Sequence, residues 1–428
     1  MRHGASRVFI IAGGSSIRND CHKPLIESLA RHDISVEIFS GVSSEPTPSL
    51  VEECTASLKK FGADAVIGLG GGSVLDTAKA ASLLAVSEGP LEKYFGVDLV
   101  PAPCLPTFLV PTTAGTGSEM TSISVVADVA SNSKKAIVSD HLFARAVVLD
   151  PELTVSMPPR ITASTGLDAL VHAIESYVNL SATPFTDCPN VQAMDMIAAS
   201  IREAYSNGGN IEARENMLYA SALAGMDFSN TQNGVIHVIA MAVPATYHIP
   251  HGLLVGALAP MGIAFNCLAS PEKYARIAEI LGSDVVGKNM DERAQSAVAG
   301  FKKLLFDLGV KPGLEAHGVK REDIRGIAER AAATRRLMDN NPRKGTADEL
   351  ENLIEGIFRP KRTLRRRYAA ASEEHWQGKT SPSKTHAMSG NVCVQMPGQP
   401  PRRHFFWTFL KIVLRSTWKR SATFCTEP

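Results

Sequence analysis

The sequence predicts an α/β domain followed by an all-helical domain, and three observations carry that prediction. Up to about residue 150, short apolar runs alternate with helix-like stretches, the pattern of a parallel sheet with helical crossovers. After Asp150-Pro151 the β-rich runs almost cease and long helical patterns follow one another. At 428 residues the chain also exceeds what one hydrophobic core usually serves.

Taken in order, RVFIIA (7–12) is the first strand, and the stretch 23–32 reads as a helix. SVEIF (35–39) is a second strand and 50–61 an amphipathic helix. AVIGL (65–69) is a third, ending at glycines and running into a helix over 74–84. Strands at 107–110 and 122–127 extend the set. Helices are then predicted at 163–178, 190–206, 211–228, 232–243, 272–281, 290–308, 321–334 and 347–357. These divide the chain into an α/β unit at 1–151 and a helical unit at 152–358.

Composition narrows the function. With 44% hydrophobic and 20% charged residues the chain is globular, and a net charge of +1 argues against coating nucleic acid or a membrane. No apolar run reaches 18 residues, so no transmembrane helix is expected. The apolar run near the start is too short for a secretory signal. Seven cysteines, without a CxxC pair, fit reduced thiols and a cytoplasmic protein. Charge is uneven along the chain. Residues 360–428 hold 13 Lys or Arg against 3 acidic residues, and all three tryptophans; the first 359 hold 31 basic and 40 acidic. The segment 359–428 is therefore expected to be an atypical basic tail, disordered or a basic interaction arm.

Three motifs carry chemistry. GLGGGSVLD (68–76) sits between a strand and a helix, where glycines let backbone approach a phosphate and the helix N-terminus offers free N–H groups. A tight turn without a ligand is the plainer alternative. PTTAGTGSEMT (111–121) is rich in hydroxyls and glycine and suits a wall of donors, or an ordinary loop. In the helical half, Asp168 and His172 are four apart and share a helix face, with His237 and His251 further on. One carboxylate and three imidazoles can hold a divalent transition metal, although spacing alone does not bring the last two to the same point.

GGGSVLDTAK, PTTAGTGSEMT, KKAIVSDHLFARAVVLDP, TGLDALVHAIESY and GVIH…IPHG, in this order, resemble the iron-dependent (group III) alcohol dehydrogenase family over roughly residues 7–358. The resemblance implies a dinucleotide-binding α/β domain and an all-α domain of the dehydroquinate synthase-like fold, with the active site in the cleft between. It implies Fe²⁺ or Zn²⁺ on Asp168, His172, His237 and His251. It places NAD or NADP against Gly71, Gly72, Ser73 and Asp76, with Thr112, Thr113, Thr121 and Lys135 lining the cofactor. The implied reaction passes a hydride between a small alcohol or aldehyde and the nicotinamide, in a homodimer.

Four features depart from the family. Met241 stands where relatives often carry a second histidine, so His248 is the expected proton relay. Gly13 closes the first strand where an aspartate often holds the adenosine ribose, which predicts that NADP is accepted. The usual N-terminal strand is missing, and the tail matches nothing in the family. Rival readings are a metal-free oxo-acid reductase like maleylacetate reductase, a lyase resembling 3-dehydroquinate synthase, and a non-catalytic relic. The full ligand set argues against the first. The absence of Lys and Arg from 162–181 argues against the second.

Overall fold

A computed structural model describes residues 4–42, 45–128, 133–356 and 411–414. Its first half runs β1 (Arg7–Gly13), α1 (Gly14–Arg18), α2 (Lys23–Ala30), β2 (Ser35–Val42), α3 (Pro48–Phe61), β3 (Ala65–Gly70) and α4 (Gly72–Val86). Then come β4 (Gly96–Val97), β5 (Thr107–Pro111), β6 (Ile123–Asp128), β7 (Ser133–Val138) and β8 (Ala146–Leu149). β3 is buried along its whole length, as a continuous apolar run covered on both faces should be. The main sheet has the order β2-β1-β3-β5-β8-β9, every pair parallel, where β9 is Lys411–Leu414. The chain steps from β1 outward to β2, then crosses back to β3 on the other side of β1. Gly13 and Gly70, at the carboxyl ends of β1 and β3, thus flank the point where strand order reverses, the usual place for a ligand crevice. β4, β7 and β6 form a small second sheet, with β6 and β7 antiparallel.

Of the tail, the KIVL run forms β9 and pairs with β8. The rest of that tail lies outside the described residues.

From Pro159 onward the described chain is helical up to Glu355. The helices are α5 (Pro159–Val178), α6 (Pro184–Ser206), α7 (Ile211–Thr231), α8 (Val235–Ala242), α9 (His251–Asn266), α10 (Pro271–Ile280), α11 (Met290–Asp307), α12 (Ile324–Ala333), α13 (Arg335–Met338) and α14 (Ala347–Glu355). α5 is the central rod, packed against α6, α7 and α9. α9 is apolar all round. Its window has a mean hydropathy of 1.8 and is 78% buried, which makes it a core helix of this layer although its length and composition would suit a membrane. The two halves meet at backbone level: a Cβ on Gly117, whose φ is +58°, would lie 2.6 Å from Gly225 Cα. This glycine pair brings the 111–121 loop against α7.

Candidate active site

α5 presents Asp168, His172 and Glu175, at positions i, i+4 and i+7, along one buried face. Glu175 accepts hydrogen bonds from the backbone N–H of Gly234 (2.9 Å), Ile236 (2.6 Å) and His237 (3.4 Å), so its carboxylate caps the open N-terminus of α8. The same carboxylate takes the Nδ1–H of His237 at 2.6 Å. That bond turns Nε2 of His237 toward Asp168, 3.6 Å from Oδ1. His251 opens α9 and places its Nε2 3.9 Å from the same oxygen. A Cβ on Gly252 would sit 2.3 Å from the Ser164 carbonyl oxygen, so only glycine lets α9 begin hard against α5 and deliver His251 to Asp168.

One ligand atom each from Asp168, His237 and His251 thus lie within 4.8 Å of one another. His172 is not among the three. Its ring stacks on that of His237, with centroids 4.5 Å apart, and on Phe228 at 4.4 Å. Asp168 Oδ1, His172 Nδ1 and His237 Nε2 are buried and have no hydrogen-bond partner. Burial pushes the Asp168 carboxyl up, but the facing imidazoles His172, His237 and His251 outweigh it and hold it below the usual range. Burial lowers His172 to about 4 and His251 to about 3. Burial also opposes protonation of His237, yet the Asp168 and Glu175 carboxylates beside it outweigh burial and raise it above the usual imidazole range.

The opposite wall comes from the sheet. A Cβ on Gly72 would meet Thr116 at 2.6 Å, so the glycine turn and the 111–121 loop need each other's small residues to pack. Behind them lies Lys79, fully buried. Its Nζ donates to Ser118 Oγ (3.1 Å), Thr121 Oγ1 (3.0 Å) and the carbonyls of Thr121 (2.9 Å) and Ile123 (2.8 Å). Asp76 accepts from Ser118 Oγ at 2.6 Å and Val125 N at 3.2 Å. Between the walls is a cleft of about 220 Å³ whose lining includes Gly72, Ser73, Asp76, Thr121, Met241 and all four of Asp168, His172, His237 and His251.

The structure sorts the expected residues. Gly72, Ser73, Asp76 and Thr121 line the cleft. Gly71 stands behind it, where an added Cβ would touch Thr113 at 3.3 Å, and Thr112 donates its N–H to Gly70. Lys135 does not line the cleft. Successive residues of a strand face opposite ways, and it is Ala136 of β7 that does line it, so Lys134 shares that face; it pairs with Glu45, also on the lining. His248 is exposed, at φ +50°, and lies outside the lining: the left-handed turn before Pro250 separates it from its near neighbour His251. Sequence reasoning missed Glu175, signalled by the i+7 step from Asp168, and Lys79, a lysine inside an otherwise small and apolar helix.

Matching to protein-family models covers both halves: residues 1–151 match the iron-containing alcohol dehydrogenase model and 162–358 the Fe-containing alcohol dehydrogenase family, C-terminal. The chain belongs to the iron-containing alcohol dehydrogenase family. It is 49% identical over 355 residues to sulfoacetaldehyde reductase of Bilophila wadsworthia, covering 82% of this chain and 92% of that protein. It is 36% identical to 1,3-propanediol dehydrogenase of Klebsiella pneumoniae, over 81% of this chain and 89% of the relative. Among solved structures, a 1,3-propanediol oxidoreductase superposes with a TM-score of 0.80 at 34% identity, covering 82% of this chain and 92% of the other. Sulfoacetaldehyde reductase from Bifidobacterium kashiwanohense, in complex with NAD⁺, does so with a TM-score of 0.73 at 28% identity, covering 83% and 92%. Like these iron-containing alcohol dehydrogenases, the chain is an oxidoreductase that interconverts an alcohol and an aldehyde.

Proposed function

We propose that this chain is a metal-dependent, nicotinamide-linked reductase of a small aldehyde, and that the aldehyde is sulfoacetaldehyde, reduced to 2-hydroxyethanesulfonate. One observation supports it above the others: three metal-type donors converge on the cleft that also holds the glycine turn, and two of them, Asp168 Oδ1 and His237 Nε2, are buried without a hydrogen-bond partner. The donor set fits a divalent cation, since Asp168 Oδ1 and His237 Nε2 are buried polar atoms whose only unmet need is a partner. Asp168, His237 and His251 would hold Fe²⁺ or Zn²⁺, with His172 as the fourth donor in kind. When bound, the metal supplies Lewis acidity to a substrate oxygen and the nicotinamide supplies hydride.

The chain's own residues do the rest. Glu175 holds Nδ1 of His237 and so turns Nε2 toward Asp168, where it would meet the metal. Gly72 and Ser73, at the start of α4, offer backbone N–H groups to a pyrophosphate. Phe228, Met241 and Leu337 give the cleft apolar walls that exclude water from the reacting carbon. Met241 cannot carry a proton. The sulfonate identity rests on the 49% identical relative. Five described cysteines are free, which supports a reducing compartment such as the cytoplasm.

Purified protein given Fe²⁺, NADH and sulfoacetaldehyde should oxidise NADH, and chelator should abolish the rate until metal is returned. Full turnover in chelator-treated protein would overturn the metal reading. NADH oxidation with propanal but none with sulfoacetaldehyde would overturn the substrate.

A further inference from the structure

One arginine lines the helical wall of the cleft, and no ion pair among the described residues holds it. Arg336, in the short helix α13, lines the same cleft as the metal-type cluster. Among the described residues no carboxylate pairs with it, whereas its neighbour Arg335 is tied to Asp339 on the outside. Among the described residues its guanidinium donates one hydrogen bond, from Nη1 to the side-chain Oε1 of Gln232 at 3.2 Å. Burial pulls its pKa down from the usual value, the mark of a guanidinium removed from bulk water.

Gln232 is itself unusual. Its backbone has φ +78° and ψ 171°, a region that side-chain-bearing residues avoid and glycine normally fills. The surroundings hold it there. Its N–H donates to Phe228 O at 2.7 Å, and its carbonyl accepts from Asn179 Nδ2 at 3.1 Å. A strained residue kept in place so that its side chain brackets an arginine points to function. Five residues on, the same segment becomes the α8 turn that carries His237. Asn233, between them, also lines the cleft, and its buried side-chain oxygen has no hydrogen-bond partner.

We propose that Arg336, oriented by Gln232, is the specificity-determining group of this site and binds the sulfonate of an anionic aldehyde. The inference rests on the aldehyde reductase reading above and adds what selects the substrate. A sulfonate offers three acceptor oxygens and a permanent negative charge, which suits a desolvated guanidinium fork better than it suits an ammonium. Arg336 lines the same small cleft as the Asp168 cluster, so a substrate held by its anionic end stays in the cleft that holds the metal-type donors.

The test compares wild type, Arg336→Gln and Arg336→Lys in two measurements. In the first, kcat/KM is determined for sulfoacetaldehyde and for the neutral propanal. Arg336→Gln should lose about 100-fold on sulfoacetaldehyde, mostly through KM, and stay within about threefold on propanal. Arg336→Lys should recover part of the loss. In the second, ethanesulfonate binding is followed by calorimetry, which needs no turnover: wild type should bind and Arg336→Gln should not. Equal losses on both aldehydes, a raised KM for NADH alone, or unchanged ethanesulfonate binding in Arg336→Gln would each overturn the proposal. Failure of the reductase reading looks different, because wild type would then reduce neither aldehyde while the ethanesulfonate comparison still decides the role of Arg336.

Discussion

The Lys79 and Asp168 clusters both border one cleft, are both polar and largely buried, and are finished in opposite ways. Around Lys79, an ammonium with three protons meets several oxygens from Ser118, Thr121 and Ile123, and Asp76 has donors of its own. Around Asp168, three imidazoles and a carboxylate leave Asp168 Oδ1, His172 Nδ1 and His237 Nε2 without partners. Burial of a polar group without a bond is costly, so folds rarely keep such atoms unless something else satisfies them. The first cluster is therefore a structural joint between α4 and the 111–121 loop, its ammonium met by oxygens on every side. The second is a set of donors arranged for a ligand.

Breaking the joint should have the largest effect on folding. Lys79→Met leaves buried oxygens and Asp76 without their cation, and should cost roughly 3–5 kcal/mol in urea unfolding. His251→Ala removes no hydrogen bond from the metal-free protein and should cost less than about 1 kcal/mol. If both variants lose equal stability, the contrast between the clusters is wrong.

A smaller effect sharpens the second cluster. Glu175→Gln keeps the shape of the α8 cap but removes the charge that holds His237 Nδ1–H. Metal affinity should fall roughly 10- to 100-fold by competition with a chromogenic chelator, while the helical signal stays unchanged. An unaltered affinity would make Glu175 a helix cap and nothing more.

The smallest effect exposes the one unfinished atom of the joint. Burial raises Glu119 to about 7, and its Oε1 has no partner, so the fold favours its protonated form. A carboxyl whose folded pKa lies above its ordinary value adds stability that is fully present below that ordinary value and is lost as pH rises through about 7. Wild type should therefore lose about 2 kcal/mol between pH 5 and pH 8 relative to Glu119→Gln, read from paired urea melts. Parallel pH profiles would remove Glu119 from the account.

Most of the fold was legible because its strands are short apolar runs between helices and most of its helices keep a polar face. α9 was not legible. An all-apolar helix containing Pro260 and several glycines has no period to detect, and its sequence hides the structural role of His251 as its first residue. The four-residue β8 was quoted within a motif yet not read as a strand, since so short a run carries little pattern. At the site, spacing on one helix gave Asp168 and His172, but convergence with His237 and His251 depends on Gly252 meeting Ser164, a contact between helices. Lys134 and Lys135 differ only by strand register, which adjacent identical residues cannot reveal. His248 lies three residues from His251 in the chain, and a left-handed turn removes it from the cleft.

The central claim is that Asp168, His237 and His251 form an unfinished metal site. Its most direct test is thermal unfolding of metal-free protein titrated anaerobically with Fe²⁺, wild type against His251→Ala. The account predicts a single saturating site per chain that raises the wild-type Tm by a few degrees, and no such rise in the variant. Equal stabilisation of both proteins, or of neither, would contradict it.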